Sequence, residues 1–256
     1  MKYITEKYNS LIEFERSLHR ERKGTTSNEF NSKFIGVESE KVANELLMFG
    51  DSKKVKEIQM QDKKRFNKSC NRLIKTPCGF IPNVGAVLAG HPVNMFGIKS
   101  EPYKNSKVLN LIYDPSCDFA QTANNIAAAG AKMLNVVNTL ESRGYRINLY
   151  IASIAHPVYE GLKIDKNKIL ALFVKIKDSG KQLNINKIAY PLANPAFFRW
   201  HTFVWSDTVD GIINRYVPTK DTCTNCIKRY INNAILLTYY EIKRKSETEI
   251  LKEVLK

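Results

Sequence analysis

The stretch that decides the fold is Lys107–Ser153, with the sequence KVLNLIYDPSCDFAQTANNIAAAGAKMLNVVNTLESRGYRINLYIAS. It begins with a short apolar run, Val108–Tyr113, and such runs are typical of strands buried on both faces of a sheet. The turn-forming residues of Asp114–Asp118 end that run. The pattern therefore predicts a buried strand followed by a polar loop.

A helix is predicted from about Thr122, because apolar residues then recur at helical spacing on one face. These residues are Ile126, Gly130, Met133, Val137 and Leu140. Gly144 is a suitable stop for this helix, and Ile147–Ile151 is the next predicted strand. The stretch thus forms one strand–helix–strand unit. Its polar residues lie at the carboxyl end of the first strand, where open α/β sheets usually bind ligands.

The rest of the chain adds further elements around this unit. Ile169–Ile176 and Lys187–Leu192 are predicted strands, and Asn194–Pro195 begins a helix with asparagine as its cap and proline in its first turn. Helices are predicted near the amino end and again at the carboxyl end, where one apolar stripe comprises Ile227, Ile231, Ala234 and Ile235. The predicted division is a helical extension over residues 1–100, an α/β core over 101–215 and carboxyl-terminal helices over 216–256.

The chain is strongly basic. Lysine and arginine outnumber aspartate and glutamate by 40 to 25, which gives a net charge of +15. Such a surface attracts nucleic acid, anionic membranes or acidic proteins. The basic cluster Lys63, Lys64 and Arg65, at the end of a predicted helix, is a candidate for phosphate contacts, and a solvated helix end is the alternative interpretation. The joint abundance of lysine, asparagine and isoleucine also fits a coding bias toward A and T, which is an alternative explanation of the positive charge.

Composition also bounds the cellular setting. The amino end lacks an uncharged apolar core, so it is not expected to be a signal peptide. No window of about 18 apolar residues occurs, so neither a transmembrane helix nor a membrane partner is expected. Five cysteines in 256 residues do not suggest a disulfide framework. The expected location is therefore a reducing cytoplasm.

Asp114, Ser116 and Asp118 are the strongest site candidates. They occupy alternate positions where the first predicted strand ends, so their side-chain oxygens converge on one point. A hard cation such as Mg²⁺ takes oxygen ligands of this kind and keeps several waters. The pattern therefore favours a Mg²⁺ site at this edge of the sheet.

This Asp-x-Ser-x-Asp motif resembles the metal-ion-dependent adhesion site of von Willebrand factor A domains, whose first motif is Asp-x-Ser-x-Ser on the same loop. The resemblance covers about residues 107–205. It implies an α/β fold of three layers, with a mainly parallel sheet of von Willebrand A or Rossmann-like type and helical additions at both ends. It also implies a strand antiparallel to the second one, a role that Ile169–Ile176 can fill. Asp118 replaces the family's serine, and Asn194 replaces the aspartate of a later strand end.

In that family, the metal commonly completes its shell with a carboxylate of the partner. The resemblance therefore implies that Asp114, Ser116 and Asp118 hold the metal, and that Asn194 positions a water. Because the second aspartate is missing, Arg199 is expected either to bind an anion or to pair with Asp114 in place of the metal.

Four short motifs carry a second resemblance, and they are Leu88–Pro92 with Met95, Tyr113–Ser116, Arg143–Arg146 and Asn194–Arg199. Their order is similar to that in phage and prophage proteins related to the von Willebrand domain of a cobalt-chelatase subunit. This similarity implies a phage origin and a setting in the host cytoplasm. It does not imply cobalt chemistry, because the chelatase activity belongs to a larger complex.

Other chemically active residues give weaker signals. Cys223 and Cys226 form a single Cys-x-x-Cys motif, and a structural zinc would need two further ligands, such as Cys70 and Cys78. Two structural cysteines at a helix start are the preferred interpretation. The four histidines form no metal-binding pattern, and Ser116 lacks the flanking glycines of a nucleophile elbow.

Three functions are compatible with these patterns. The favoured one is a non-enzymatic binding protein that engages a protein partner at the carboxyl edge of its sheet, through a degenerate metal site. The alternative is nucleic-acid binding through the basic face, without base specificity. A metal-dependent hydrolase or nuclease at Asp114 is the third, although two-metal clamps need more carboxylates than this loop supplies.

Overall fold

The computed structural model describes residues 2–23, 31–61, 71–100, 107–159, 163–211 and 214–255. The strands in these ranges are β1 (Lys2–Tyr8), β2 (Asn71–Thr76), β3 (Ile81–Pro82), β4 (Met95–Ser100), β5 (Val108–Asp114), β6 (Arg146–Tyr159), β7 (Lys163–Ile164), β8 (Lys168–Lys177), β9 (Asn214–Tyr216) and β10 (Ala234–Thr238). The helices are α1 (Leu11–Ser17), α2 (Ser32–Ile35), α3 (Glu40–Phe49), α4 (Ser52–Gln61), α5 (Val84–Leu88), α6 (Ala123–Ser142), α7 (Ile185–Ala193), α8 (Thr202–Asp210), α9 (Lys220–Lys228), α10 (Tyr239–Arg244) and α11 (Glu247–Val254). A π-helical turn at Phe197–His201 leads directly into α8.

The main sheet has the strand order β1-β8-β6-β5-β10. β10, β5 and β6 are parallel, β8 runs antiparallel to β6, and β1 is parallel to β8. β7 and β9 pair with the far end of β6. Helices cover both faces of this sheet, so the predicted α/β fold with a mainly parallel sheet is confirmed.

α6 buries the face that its sequence predicts. Its predicted inward residues, from Ile126 to Leu140, are buried against the sheet and neighbouring helices. The Thr122 side chain accepts a hydrogen bond from the Asn125 amide and so caps the helix at its predicted start. Gly144 follows the helix with a φ of 92°, a left-handed conformation that glycine adopts without strain.

The opposite face of the sheet is covered by α9. Cys223, Cys226 and Ile227 of this helix are buried against a second apolar cluster that includes Ile112 and Phe173 of the sheet. Because α6 and α7 pack on one face and α9 on the other, the central strands are buried on both sides.

Residues 187–192 form a helix, so the prediction of a strand there is wrong. α7 is capped by Asn184, whose side chain accepts a hydrogen bond from the Lys187 amide. The error has a physical cause, because residues 188–193 of α7 are all buried and therefore show no polar face. A short apolar run does not distinguish a buried helix from a buried strand. The predicted helix start at Asn194–Pro195 is confirmed, because the Asn194 side chain accepts from the Ala196 amide.

Segments near both ends of the chain contribute strands to the main sheet. Ala234–Thr238 is strand β10, so the prediction of a helical stripe that includes Ala234 and Ile235 is wrong, and β1 pairs with β8. Residues 71–100 contain an antiparallel sheet of order β2-β4-β3. The division of the chain at residues 100 and 215 stays a prediction.

Candidate functional site

A pocket of about 630 Å³ lies at the carboxyl ends of β5 and β10, beside the middle of β6. Asp114 ends β5, Thr238 ends β10, and Ser153 comes from β6, and all three line the pocket. α6 follows β5 on one face of the sheet, whereas α9 precedes β10 on the other. The helices that connect β5 and β10 to the rest of the sheet therefore lie on opposite faces. Open α/β sheets usually bind ligands at such a point.

Asp114 lines the buried part of the pocket and is only 3% exposed. Its Oδ1 accepts a hydrogen bond from the Ser116 amide at 2.9 Å. Burial raises the pKa of the Asp114 carboxyl to about 6, although the hydrogen bonds of Ser116 and the charge of Arg215 act in the opposite direction. A carboxyl with this pKa changes charge close to neutral pH.

The other two predicted metal ligands, Ser116 and Asp118, line the same pocket. Ser116 is buried, whereas Asp118 is exposed. The Tyr240 hydroxyl donates to Asp118 Oδ2 at 2.6 Å, and its oxygen lies 3.1 Å from the Asp118 amide, which donates to it. The loop after β5 is therefore attached to α10 through one tyrosine.

This set of donors fits a Mg²⁺ ion poorly. The positive charge of Arg215 already acts on Asp114, and it would repel a divalent cation bound to the same carboxylate. Asp118 accepts a hydrogen bond from Tyr240, which would have to be given up or shared. The Mg²⁺ site stays a prediction of the family resemblance.

Arg215 is a pocket residue that the sequence did not indicate. Its Nη1 donates to the Ser153 hydroxyl at 2.8 Å, and its Nη2 donates to the Phe198 carbonyl at 3.2 Å. The guanidinium lies 3.9 Å from the centroid of the Phe203 ring. Burial lowers the pKa of Arg215, and the charge of Asp114 raises it. Only the pairing of β9 with β6 places this arginine in the pocket, and its local sequence gives no sign of that pairing.

Arg199 also lines the pocket but has other partners. Its Nη1 donates to the Phe34 carbonyl at 2.7 Å, and its Nη2 donates to the Gln121 carbonyl. The guanidinium also stacks on the Phe34 ring, 4.3 Å from its centroid. The charge that lowers the Asp114 pKa therefore belongs to Arg215, and Arg199 links α2 to the loop before α6.

The remaining predicted binding residues lie elsewhere. Asn194 is buried at the end of α7, and it is not among the residues that line the pocket. Its Nδ2 donates to Asp51 Oδ2 at 3.0 Å, and its Oδ1 accepts from the Ala196 amide at 3.0 Å. The amide nitrogen of Asn194 thus links the end of α7 to the residue before α4, and its amide oxygen caps the helix that begins at Pro195. The basic cluster at residues 63–65 lies outside the described residues.

The thiols at and near the pocket are poor nucleophiles. Burial raises the pKa of Cys117 to about 12 and that of Cys226 to about 11, and it also raises the pKa of Cys223. The reactive form of cysteine is the thiolate, so these side chains stay protonated and inert near neutral pH. The described residues that line the pocket include no histidine to activate Ser116. Neither the thiols nor Ser116 is therefore activated as a nucleophile by the described lining residues.

Replacing Asp114 with asparagine should stabilise the protein at neutral pH by about 2–3 kcal/mol. The carboxyl has a pKa of about 6 in the folded protein, against about 4 in an unfolded chain. Its protonated form therefore stabilises the fold at low pH, and that stabilisation is lost as the pH rises through 6. A neutral amide avoids this loss and can still accept from the Ser116 amide.

Urea denaturation of both proteins at neutral pH and at about pH 4 measures this effect. The gain should disappear at the lower pH, where the carboxyl is largely protonated in the folded protein. Asp118→Asn is the matched control, because this side chain is exposed and an amide oxygen can still accept from the Tyr240 hydroxyl. An Asp114→Asn protein that is less stable than the wild type at neutral pH would contradict the burial penalty.

Comparison with known proteins identifies one family. Residues 2–256 match the model of a family described as a domain of unknown function (DUF7192). The match spans the sheet, the pocket and the helices at both ends. No curated protein and no solved structure matches the chain.

Proposed function

We propose that this chain, which belongs to the DUF7192 family, is a non-enzymatic binding protein that receives a segment of a protein partner at the carboxyl edge of its sheet. The observation that supports this most directly is the lining of the pocket, in which aromatic side chains surround arginine and aspartate. Aromatic and arginine side chains are the usual anchors of protein–protein interfaces. From the motif similarities we further infer a phage-encoded protein that acts in the host cytoplasm.

Two aromatic side chains extend the contact surface beyond the pocket. Phe119 follows Asp118 in the loop after β5 and is 85% exposed, and Tyr216 of β9 is 49% exposed. Both also line the pocket. Burying a phenylalanine side chain against a partner is worth about 1.5–3 kcal/mol. Phe119 and Tyr216 thus give the pocket an apolar rim around a polar interior. This arrangement favours a peptide segment that covers the rim and inserts one side chain into the pocket.

The interior of the pocket supplies specificity. A volume of about 630 Å³ lies within the range of ordinary ligand pockets. Arg215 and Asp114 present opposite charges there, and the hydroxyls of Ser116 and Ser153 lie beside them. A few fixed polar groups within apolar walls orient a ligand, because each wrong partner would leave one of them unpaired.

A displayed library of random peptides, selected on the immobilised full chain, tests this function. Selected peptides should compete with one another for one site, as measured by fluorescence anisotropy. Phe119→Ala should weaken their binding at least about tenfold, because truncating an interface anchor costs more than about 1.4 kcal/mol. Phe119 is exposed, so its loss should leave folding intact.

Phe80→Ala is the matched control, since Phe80 is another exposed phenylalanine and does not line the pocket. This variant should bind the selected peptides like the wild type. If Phe119→Ala and Phe80→Ala bind the peptides equally well, the binding surface lies elsewhere. A selection that enriches no peptide would also contradict the proposal.

Nucleic-acid binding is the second candidate, and the net charge of +15 favours it. Binding to labelled single- and double-stranded DNA and RNA should then fall steeply as salt is raised, because phosphate neutralisation releases counterions. Phe119→Ala should leave this binding unchanged. The variant therefore separates a pocket that holds a peptide from a basic face that holds phosphates.

A further inference from the structure

The small sheet of β2, β4 and β3, together with α5, carries a group of exposed apolar side chains. Within nine consecutive positions, five large apolar residues face solvent, and Leu88 is 83% exposed. These residues, here named the apolar tip, are Phe80, Ile81, Val84, Val87 and Leu88. Isolated exposed apolar residues are normal on protein surfaces, whereas a local group of this kind marks a site of interaction.

The apolar tip is held by backbone bonds and projects into solvent. The Phe80 amide donates to the Phe96 carbonyl at 3.0 Å, and the Asn83 amide donates to the Asn94 carbonyl at 2.8 Å. A Cβ added at Gly90 would meet no atom within 4 Å. The tip side chains are 45–83% exposed, so they are open to contact by a partner.

The side chains of the tip point in a common direction along α5. Val84, Val87 and Leu88 stand at positions i, i+3 and i+4, which lie on one face of a helix. The Asn83 side chain caps this helix by accepting from the Ala86 amide. One short helix thus presents a continuous apolar face.

No acidic residue accompanies the tip in the sequence. Residues 71–100 contain neither aspartate nor glutamate, although the chain has 25 acidic residues. Lys75 is exposed, and it is paired with Phe96 of β4, which is paired on its other side with Ile81 of the tip. Exposed apolar side chains beside a lysine match the surface of a bilayer that contains anionic lipids, where apolar groups enter the acyl boundary and cations meet phosphates.

We propose that the apolar tip inserts into the headgroup region of an anionic phospholipid bilayer, while Lys75 contacts the lipid phosphates. A second copy of the chain fits this surface less well, because two segments of the same charge would face each other. Nucleic acid would use the cations but would leave the aliphatic side chains without a role. None of the helices in the described ranges is long and apolar enough to cross a membrane, and surface contact requires no such helix.

Co-sedimentation of the full chain with phospholipid vesicles tests this proposal. Vesicles of phosphatidylcholine with about one-third phosphatidylserine should bind the protein much more tightly than pure phosphatidylcholine. Added inorganic phosphate should compete no better than chloride at equal ionic strength, because a free anion offers nothing to the apolar tip. Equal binding to both kinds of vesicle, or none to the anionic ones, would overturn the proposal.

Two variants separate the apolar contribution to vesicle binding from the electrostatic one. Val84→Ser/Leu88→Ser should weaken binding to the anionic vesicles at least tenfold, since two exposed apolar side chains are lost without disturbing a core. Lys75→Gln should weaken it about fivefold. Phe49→Ser is the matched control, because Phe49 is an exposed aromatic residue at the end of α3, and it should bind like the wild type.

Polyglutamate distinguishes an acidic protein from a bilayer as the partner. The proposal expects Val84→Ser/Leu88→Ser to lose vesicle binding but to bind polyglutamate as the wild type does. If this double variant binds anionic vesicles as well as the wild type does, the tip does not insert and the proposal fails. It also fails if the wild type prefers polyglutamate to the vesicles at equal charge concentration.

Discussion

Replacing Gly130 with valine should prevent folding or lower the free energy of unfolding by at least about 3 kcal/mol. A Cβ at this position would lie 2.0 Å from the Leu192 carbonyl oxygen and 2.5 Å from the Ala193 Cα. These are backbone atoms of α7, so they cannot rotate away as a flexible side chain would. A larger residue must push α6 from α7 and open the core around Met133.

Circular dichroism during urea and thermal denaturation measures this loss. Gly85→Ala is the matched control, because the nearest atom to a new Cβ in α5 is the Asn83 Oδ1 at 3.8 Å. That change should leave stability unaltered or raise it by about 0.5–1 kcal/mol, since alanine favours a helix more than glycine does. A Gly130→Val protein that unfolds cooperatively with wild-type stability would contradict the close contact between α6 and α7.

The second large effect is a dependence of stability on pH that originates at His201. Burial lowers the pKa of this histidine to about 4. Its Nε2 lies 3.3 Å from the Ala43 carbonyl oxygen, and its Nδ1 has no hydrogen-bond partner among the described residues. The rings of Tyr190 and Phe197 pack against it. A second proton would therefore place a charge in an apolar site without an acceptor.

Acid should act on His201 by favouring the unfolded state. The unfolded histidine has a pKa of about 6.5, so between about pH 6.5 and pH 4 the unfolded chain binds a proton that the folded protein does not. The contribution of His201 to stability should fall by about 3 kcal/mol across this range. Asp114 acts in the opposite direction in a similar range, because its raised pKa makes the folded protein bind the proton first. The free energy of unfolding of the wild type should consequently depend on pH much less than the contribution of His201 or of Asp114 alone.

Comparing unfolding free energies of the wild type and His201→Gln across this pH range isolates the histidine, because other groups cancel in the difference. The variant should gain about 3 kcal/mol relative to the wild type between neutral pH and pH 4. His19→Gln is the control, since His19 is exposed and pairs with Glu15 at the surface. A difference between His201→Gln and the wild type that stays constant with pH would refute a buried neutral histidine.

The parts of the fold that the sequence predicts are those with local signals. The apolar spacing of α6 and the Gly144 stop lie within one short stretch, and both are confirmed. α7 was mistaken for a strand because the burial of residues 188–193 removes the polar face that distinguishes a helix. β1 carries charged residues on an edge strand, and its pairing with β8 depends on contacts that no local pattern contains.

The residues of the candidate site also divide into those with a local signal in the sequence and those without one. Asp114, Ser116 and Asp118 follow a buried strand directly, so their sequence indicates the edge of the sheet at which they lie. Arg215 and Tyr240 come from parts of the chain about a hundred residues later. They reach the pocket only because β9 pairs with β6 and because α10 follows β10.

The pairing of β1 with β8 has a consequence for synthesis of the protein. Lys2 is aligned with Lys168, so a ribosome adding about 5–20 residues per second produces β8 roughly ten to thirty seconds after β1. During this interval β1 has no β8 with which to pair, and an unpaired strand can template aggregation. Lys2, Glu6 and Lys7 place charges along it, and charged edges discourage pairing between nascent chains. The charged residues that make β1 hard to predict as a strand therefore also reduce its aggregation until β8 has been synthesised.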